Sequence, residues 1–325
     1  MKALVCSNFG PLEQLSVQEI AEPKPKAKQV LIDVEAAALN FPDALMVQGI
    51  YQFKPPLPFT PGAEFSGVVS AVGSEVTNYK IGDRVIAYGL GGFAEKAVAD
   101  AERIMTLPTG MDFDTGAAFV LTYATSLHAL RDCGRLQLGE SLLVLGAAGG
   151  VGVSAIEIGK AMGARVMAAA SSDSKLALCR KLGADETINY ETENLRDRIN
   201  QLTESRGVDV VYDPVGGQYT ELALRATAWG GRLLVIGFAS GEIPKIPINL
   251  ALLKERSIVG VYWGDSVKHN PQGHLNNMQQ LLEWFASGKI KPVISDRVPL
   301  NGAAGAMMRM ANRQILGKVV VLPEA

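Results

Sequence analysis

Ser141-Leu142-Leu143-Val144-Leu145-Gly146-Ala147-Ala148-Gly149-Gly150-Val151-Gly152 runs from an apolar stretch into a glycine-rich turn, and residues 153–162 continue it with helical periodicity. A short apolar run bounded by glycine is the pattern of a strand buried on both faces of a parallel sheet. Strand, glycine turn and helix in that order open a dinucleotide-binding unit, in which the helix N-terminus offers free N–H groups to a pyrophosphate. The fingerprint G-x-G-x-x-G wants glycine at the tight turn, at the close approach to phosphate and at helix–strand packing. Ala147, Gly149 and Gly152 stand in those three places. Alanine in the first of them predicts a slightly looser turn. The backbone from Ala147 through Gly149, Gly150, Val151 and Gly152 is the expected phosphate contact, set against the plainer reading that these glycines only let the helix pack closely.

The alternation continues on both sides of the loop. Apolar runs at 164–170, 208–212, 232–236 and 257–262 alternate with helical stretches, which predicts an α/β fold with a doubly wound parallel sheet over 122–263. A site specific for NAD has an acidic residue about 20 residues past the loop to accept the ribose 2′-hydroxyl. Here the second strand ends in Ala168-Ala169-Ala170, followed by Ser171-Ser172-Asp173-Ser174-Lys175. Ser171, Ser172 and Lys175 suit a 2′-phosphate through charge-assisted hydrogen bonds, so the cofactor expected is NADPH. Asp173 argues mildly the other way unless it begins the next helix as its N-cap, and the whole cluster also reads as capping with a solvated lysine.

The first third has a different texture. Runs rich in Val and Ile at 30–34, 67–72, 84–88 and 93–98 are separated by Gly, Pro, Asn and Asp, the punctuation of β-barrels and sandwiches. Pro55, Pro56, Pro58 and Pro61 mark a rigid loop between them. The tail, with a long helical segment at 274–287 and a last strand at 317–322, is expected to return to this β-rich unit. The predicted domains are therefore 1–121 with 264–325, and 122–263.

Composition narrows the function classes. The chain has 325 residues, 48 % hydrophobic and 20 % charged, a globular balance and long enough for two domains. With 31 Lys and Arg against 33 Asp and Glu, the formal net charge of −2 gives no basic field to hold a phosphate backbone, so nucleic acid is not expected as the main partner. Cys6, Cys133 and Cys179 are too scattered for a disulfide framework or a metal cluster, and His128, His269 and His274 read as surface, capping or packing residues. A reducing cytoplasm is the expected compartment, with no leader peptide and no membrane span.

With Ala38-Leu39-Asn40-Phe41-Pro42-Asp43, Gly49-Ile50-Tyr51, Pro61-Gly62-Ala63-Glu64-Phe65-Ser66-Gly67-Val68-Val69 and Leu121-Thr122-Tyr123-Ala124-Thr125-Ser126 set beside the glycine loop, the chain resembles the medium-chain dehydrogenase/reductase superfamily over essentially its whole length. Within it, the resemblance is to the zinc-free quinone oxidoreductases, the group that includes zeta-crystallin. That implies a GroES-like β-barrel catalytic domain, a Rossmann cofactor domain and a cleft between them. It also implies cofactor contacts at Thr125 beside the nicotinamide, at Tyr190 near the adenosine phosphate, and at the strand ends carrying Val215, Gly237 and Phe238. Tyr190 equally reads as a core aromatic.

Where zinc alcohol dehydrogenases carry a Gly-His-Glu, this chain has Gly62-Ala63-Glu64, and residues 40–43 hold no cysteine; alanine cannot bind zinc, so no metal is expected. Without that Lewis acid, hydride delivery to an electron-poor quinone or enone is the easier direction of chemistry. Asn40 and Tyr51 stand where the family has polar cleft residues; they are assigned orienting and hydrogen-bonding roles, with Tyr51 as proton donor. The competing readings are a turn residue for Asn40 and packing beside the proline loop for Tyr51. Function alternatives are an enoyl or acrylyl thioester reductase, and a non-catalytic NADPH-binding or RNA-binding protein. The apolar stretch 257–262, read as a sheet edge, predicts a homodimer.

Overall fold

A computed structural model describes residues 1–323. Six strands form one sheet: β1 (Ser141–Val144), β2 (Arg165–Ala170), β3 (Glu186–Asn189), β4 (Val208–Asp213), β5 (Thr227–Val235) and β6 (Ser257–Gly260). Neighbours are all parallel, in the order β3-β2-β1-β4-β5-β6. The direction of winding reverses between β1 and β4, and in open sheets of this kind the crevice beyond the carboxyl ends at the reversal is where ligands bind. Helices Gly150–Ala161, Asp173–Lys181 and Gln218–Arg225 lie against the strands. Leu142, Leu143, Val144, Val166, Val210 and Val211 are fully buried, which is why these strands read as apolar runs and not as alternating ones. Strand β6 is the edge, and it stops at Gly260, short of the expected Tyr262.

The N-terminal unit is built on a seven-stranded sheet. Its path runs Ile294–Pro299, Lys318–Leu322, Gln29–Ala38, Glu64–Val72, Arg84–Tyr88 and Ile104–Thr106, with Lys96–Asp100 also on Gln29–Ala38. Val30, Ile32, Val34, Phe65, Val69, Val85 and Phe93 fill its core, and helix Ala303–Ala311 sends Ala303, Ala306 and Met307 into it. The proline-rich stretch carries no strand beyond a single bridge from Phe59 to Cys6.

The compact units are 1–121 with the chain from 292 onward, and 122–291. The expected boundary at 263/264 therefore falls inside the parallel-sheet unit. Helices Trp263–His269 and Pro271–Ala286 stay with that unit, where Met278 and Leu281 are buried and Asn277 Nδ2 donates to Asp132 Oδ2 at 2.8 Å. An amphipathic pattern says which helix face is buried but not against what, so only the strands and helix after Pro292 make the expected return. No helix among the described residues is long and apolar enough to cross a membrane.

Candidate active site

In the parallel-sheet unit the glycine loop is tighter than the fingerprint reading implied. Gly146 takes φ +56°, so the left-handed turn is made one place before Ala147 and the alanine does not loosen it. Ala147 is itself fully buried with its N–H on the Ala169 carbonyl at 3.0 Å. It shapes the turn and, contrary to expectation, presents nothing to a ligand. Gly149 is the N-cap of Gly150–Ala161, and the N–H groups of Gly150, Val151 and Gly152 begin that helix, where no intrahelical acceptor exists for them. A Cβ on Gly152 would lie 2.5 Å from the Gly146 carbonyl oxygen, so any side chain there would prise helix from loop. At Gly149 the only neighbour of such a Cβ is that same oxygen at 3.4 Å, which leaves its outer side open. Unpaired backbone N–H groups at a helix start with an open outer side are the polarity an anion such as a pyrophosphate needs.

Beyond β2, the chain turns at Ser171. Lys175 Nζ donates to Ser171 Oγ at 2.9 Å, which holds the ammonium over the strand end. The N-cap of helix Asp173–Lys181 is Ser172, whose Oγ accepts the Lys175 N–H at 3.4 Å; Asp173 is the first helical residue and not the cap. Its carboxylate takes the Asn189 side-chain amide at 3.0 Å. Tyr190 follows β3, with its N–H on the Ala170 carbonyl at 3.2 Å and its ring 4.4 Å from that of Tyr219. It stands beside the Ser171 turn and also packs on the core, so its two readings are compatible.

At the reversal, the loop after β4 is folded by Asp213. Its Oδ1 accepts the N–H groups of Val215 and Gly216 at 2.9 Å each and Oδ2 accepts Thr220 Oγ1 at 2.6 Å. Val215 is then close to Gly146: a Cβ there would sit 2.8 Å from Val215 Cγ2. The loop after β5 bonds to it through Gly237 N–H to Asp213 O, Ala239 N–H to Pro214 O and Ser240 N–H to Val215 O, and Phe238 packs against Gly216. Thr125 begins a short helix whose next residue, Ser126, reaches the Val151 carbonyl, Ser154 and the Tyr212 hydroxyl. Apart from Thr125, the expected cofactor residues of this unit lie at or just beyond the carboxyl ends of adjacent strands or on the first turn of the loop helix. Glycine cradle, lysine-bearing strand end and paired loops fit a phosphorylated dinucleotide.

A feature the sequence did not suggest underlies that helix. Glu157 accepts a very short hydrogen bond from the buried Tyr123 hydroxyl and also takes the Lys291 N–H. Burial pushes the Glu157 carboxyl up to about 7, against the pull of the Tyr123 and Lys291 donors. Between its ordinary value and 7 the folded state keeps a proton that the unfolded state has released, so stability falls as pH rises through that window and levels off above it. Glu157→Gln is expected to shrink this slope, by up to about 3 kcal/mol across the window, as read by urea unfolding at a series of pH values. An unchanged slope would show that Glu157 titrates normally. Asp43, also pushed up to about 7 by burial, leaves a slope of the same sign in the variant.

In the N-terminal unit Asn40 opens helix Phe41–Val47. Its N–H donates to Asp43 Oδ2 at 2.9 Å, and Asp43 Oδ1 accepts the Gly62 N–H at 3.2 Å. Asn40 Nδ2 donates to Glu64 Oε1 at 2.9 Å and to the Ala38 carbonyl at 3.3 Å. Lys318 Nζ donates to Asn40 Oδ1, Glu64 Oε1 and the Leu39 carbonyl at 2.6, 2.8 and 2.8 Å, so all three of its protons are used. Glu64 Oε2 takes the Leu121 N–H at 2.9 Å. Asn40, Asp43, Glu64 and Lys318 are all buried, and a buried ion pair is tolerable only when its remaining hydrogen-bonding capacity is met, as here. Both donors of the Asn40 amide are thus spent within the protein, on Glu64 and on the Ala38 carbonyl, where the expectation had one of them free for an acceptor. Tyr51 follows the far end of the same helix: Gly49 turns the chain at φ +71° and the Tyr51 N–H bonds the Leu45 carbonyl at 3.2 Å. Its ring is half-buried. Next to Glu64, Ala63 carries only a methyl group and has no atom that can ligate a metal.

Two family models match the chain: an alcohol dehydrogenase GroES-like domain over residues 26–109 and a zinc-binding dehydrogenase model over residues 150–287. The quinone oxidoreductase-like protein 2 homolog of Nematostella vectensis is 37% identical, over 98% of this chain and 88% of its own length. The structure of Escherichia coli quinone oxidoreductase complexed with NADPH is 28% identical and superposes with a TM-score of 0.93, covering 99% of this chain and 100% of its own. That of the CurK enoyl reductase is likewise 28% identical, with a TM-score of 0.89 over 99% of this chain and 98% of its own.

Proposed function

Starting from a chain that belongs to the medium-chain dehydrogenase/reductase superfamily and, within it, to the zeta-crystallin-like quinone oxidoreductases, we propose that this oxidoreductase binds NADPH and reduces quinones without zinc. The observation that carries the reading is the strand end after β2, where Lys175 Nζ donates to Ser171 Oγ at 2.9 Å, so that a cation and a hydroxyl stand together there. A 2′-phosphate set there meets a cation and two hydroxyls, while the one carboxylate that follows in sequence, Asp173, accepts the Asn189 side-chain amide. The NADPH complex of the Escherichia coli relative supports the same choice.

When bound, NADPH supplies a hydride. What the chain must add is a home for the charge that the acceptor gains and a proton to quench it. We assign both to the Tyr51 hydroxyl. Asn40 positions it, by fixing the start of the helix whose other end turns into Tyr51. Glu64 and Lys318 hold Asn40 in turn. A quinone or an activated alkene accepts hydride at carbon with no metal to polarise it, so Ala63 costs this chemistry nothing.

A second reading, reduction of enones or enoyl thioesters, asks the same of Tyr51, and the likeness to the CurK enoyl reductase favours keeping it. Purified protein with NADPH, presented in turn with quinones, enones and 2-alkenoyl thioesters, separates them. Fastest turnover on quinones supports the first reading, and fastest turnover on thioesters the second. NADPH binding with no oxidation by any acceptor overturns both and leaves a binding protein.

The reading includes a homodimer. Strand β6 lies at the sheet edge with Ile258 exposed, and Ile248, Leu252, Leu253 and Tyr262 are exposed in the neighbouring sequence. An unpaired apolar edge favours pairing with a second copy. Sedimentation velocity should give a dimer, and Ile258→Lys should shift it to monomer; a wild-type monomer at every concentration removes the dimer from the reading.

A further inference from the structure

Away from the carboxyl ends of the sheet, residues 128–133 wind as a π-helical turn, closed by the Gly134 N–H on the Ala129 carbonyl at 2.7 Å. In an α-helix, residues five apart point well away from each other; the wider turn brings His128 and Cys133 onto one face. His128 Nε2 lies 3.4 Å from Cys133 Sγ, and Nδ1 lies 2.9 Å from Asp132 Oδ2. Asp132 is fixed from a second element by Asn277 Nδ2 at 2.8 Å and by Arg131 Nε at 3.2 Å. With Nδ1–H directed at the carboxylate, Nε2 is the nitrogen that faces the thiol. The order thiol, imidazole, carboxylate is that of an activated nucleophile whose base is oriented by a third group. Hydrogen bonds to Asp132 and then to Cys133 hold His128 up to about 9, so its ring carries a proton readily. Cys6 and Cys179 are buried, and burial raises both thiols, Cys179 to about 12.

We propose that Cys133 is a modification site: a nucleophilic thiol, activated by His128 and Asp132, that exchanges with small anionic disulfides of the glutathione type. His128 takes the S–H proton, and the Cys133 sulfur attacks one sulfur of the disulfide. A new S–S bond to Cys133 forms, the old S–S bond breaks, and the departing half leaves as a thiolate that picks up a proton. One disulfide and one thiol give a mixed disulfide and one thiol, with no other oxidant. Arg131 is held on Asp132, so Arg135, two residues after Cys133, is the nearby cation in sequence that favours an anionic partner over a neutral one.

The test is glutathione disulfide added to the purified full chain, with the adduct mapped by mass spectrometry. The result expected is one glutathione per chain, on Cys133, absent in Cys133→Ser. His128→Gln and Asp132→Asn should each slow the reaction about 10-fold while the thermal unfolding transition stays in place. Iodoacetamide at limiting concentration, which needs no variant, should label Cys133 first. An adduct on Cys6 or Cys179, or a rate indifferent to His128, overturns the activated thiol. Labelling by iodoacetamide without exchange with glutathione disulfide overturns the ligand class.

Discussion

Tyr51→Phe is expected to lower turnover on the order of 10²-fold while NADPH affinity changes little. The substitution removes one oxygen and keeps the ring, so the packing of a half-buried side chain beside the proline-rich loop survives. What disappears is the donor proposed to stabilise and protonate the reduced acceptor. Because the effect belongs to the transition state, it should fall on kcat more than on KM. The measurement is steady-state kinetics with a quinone and an enone, under conditions where a deuterium isotope effect shows hydride transfer to be rate-limiting. An unchanged rate with both acceptors would take Tyr51 out of the chemistry and leave it a packing residue.

Lys175→Ala should weaken NADPH by roughly 10- to 100-fold and leave NADH nearly untouched, since the two differ only in the 2′-phosphate. A charge-assisted hydrogen bond contributes about 1.5–3 kcal/mol, which is the origin of that range. Ser171, now contacted by Lys175 Nζ at 2.9 Å, and Ser172 keep neutral donors at the strand end and set the lower bound. Salt should erode the wild-type preference, because a partly exposed lysine–phosphate pair is screened within about 8 Å at physiological ionic strength. Fluorescence titration of both nucleotides reads the effect. Equal wild-type affinity for NADH and NADPH would sink the assignment of cofactor.

The parallel sheet was legible because double burial forces Leu142, Leu143 and Val144 into an unbroken apolar run that a loop or a surface helix would not carry. The loop was legible because close packing at Gly152 leaves no room for a side chain. Lys318 was hidden for the opposite reason: it lies 254 residues from Glu64, and a lysine opening a strand normally reads as solvated. Its burial exists only once the strand Lys318–Leu322 is laid beside Gln29–Ala38, a pairing no local pattern encodes. Glu157 and Tyr123 escaped notice in the same way, because 34 positions separate them in sequence and each reads alone as an ordinary helix residue until they meet. The His128–Cys133 contact was concealed by periodicity itself, since a 3.6-residue repeat keeps residues five apart on different faces and only the π turn joins them. The boundary was misplaced by 264–291 because amphipathic helices declare a buried face without declaring its partner.

The most direct measurement is NADPH oxidation by protein dialysed against a strong chelator and verified free of zinc, mixed with a quinone, using NADPH deuterated at the transferring position beside the unlabelled form. The expected result is undiminished turnover with a primary isotope effect and a clear preference for NADPH over NADH. Activity that vanishes on chelation and returns with zinc, or NADPH loss no faster than in the absence of protein, would contradict zinc-free hydride transfer by this chain.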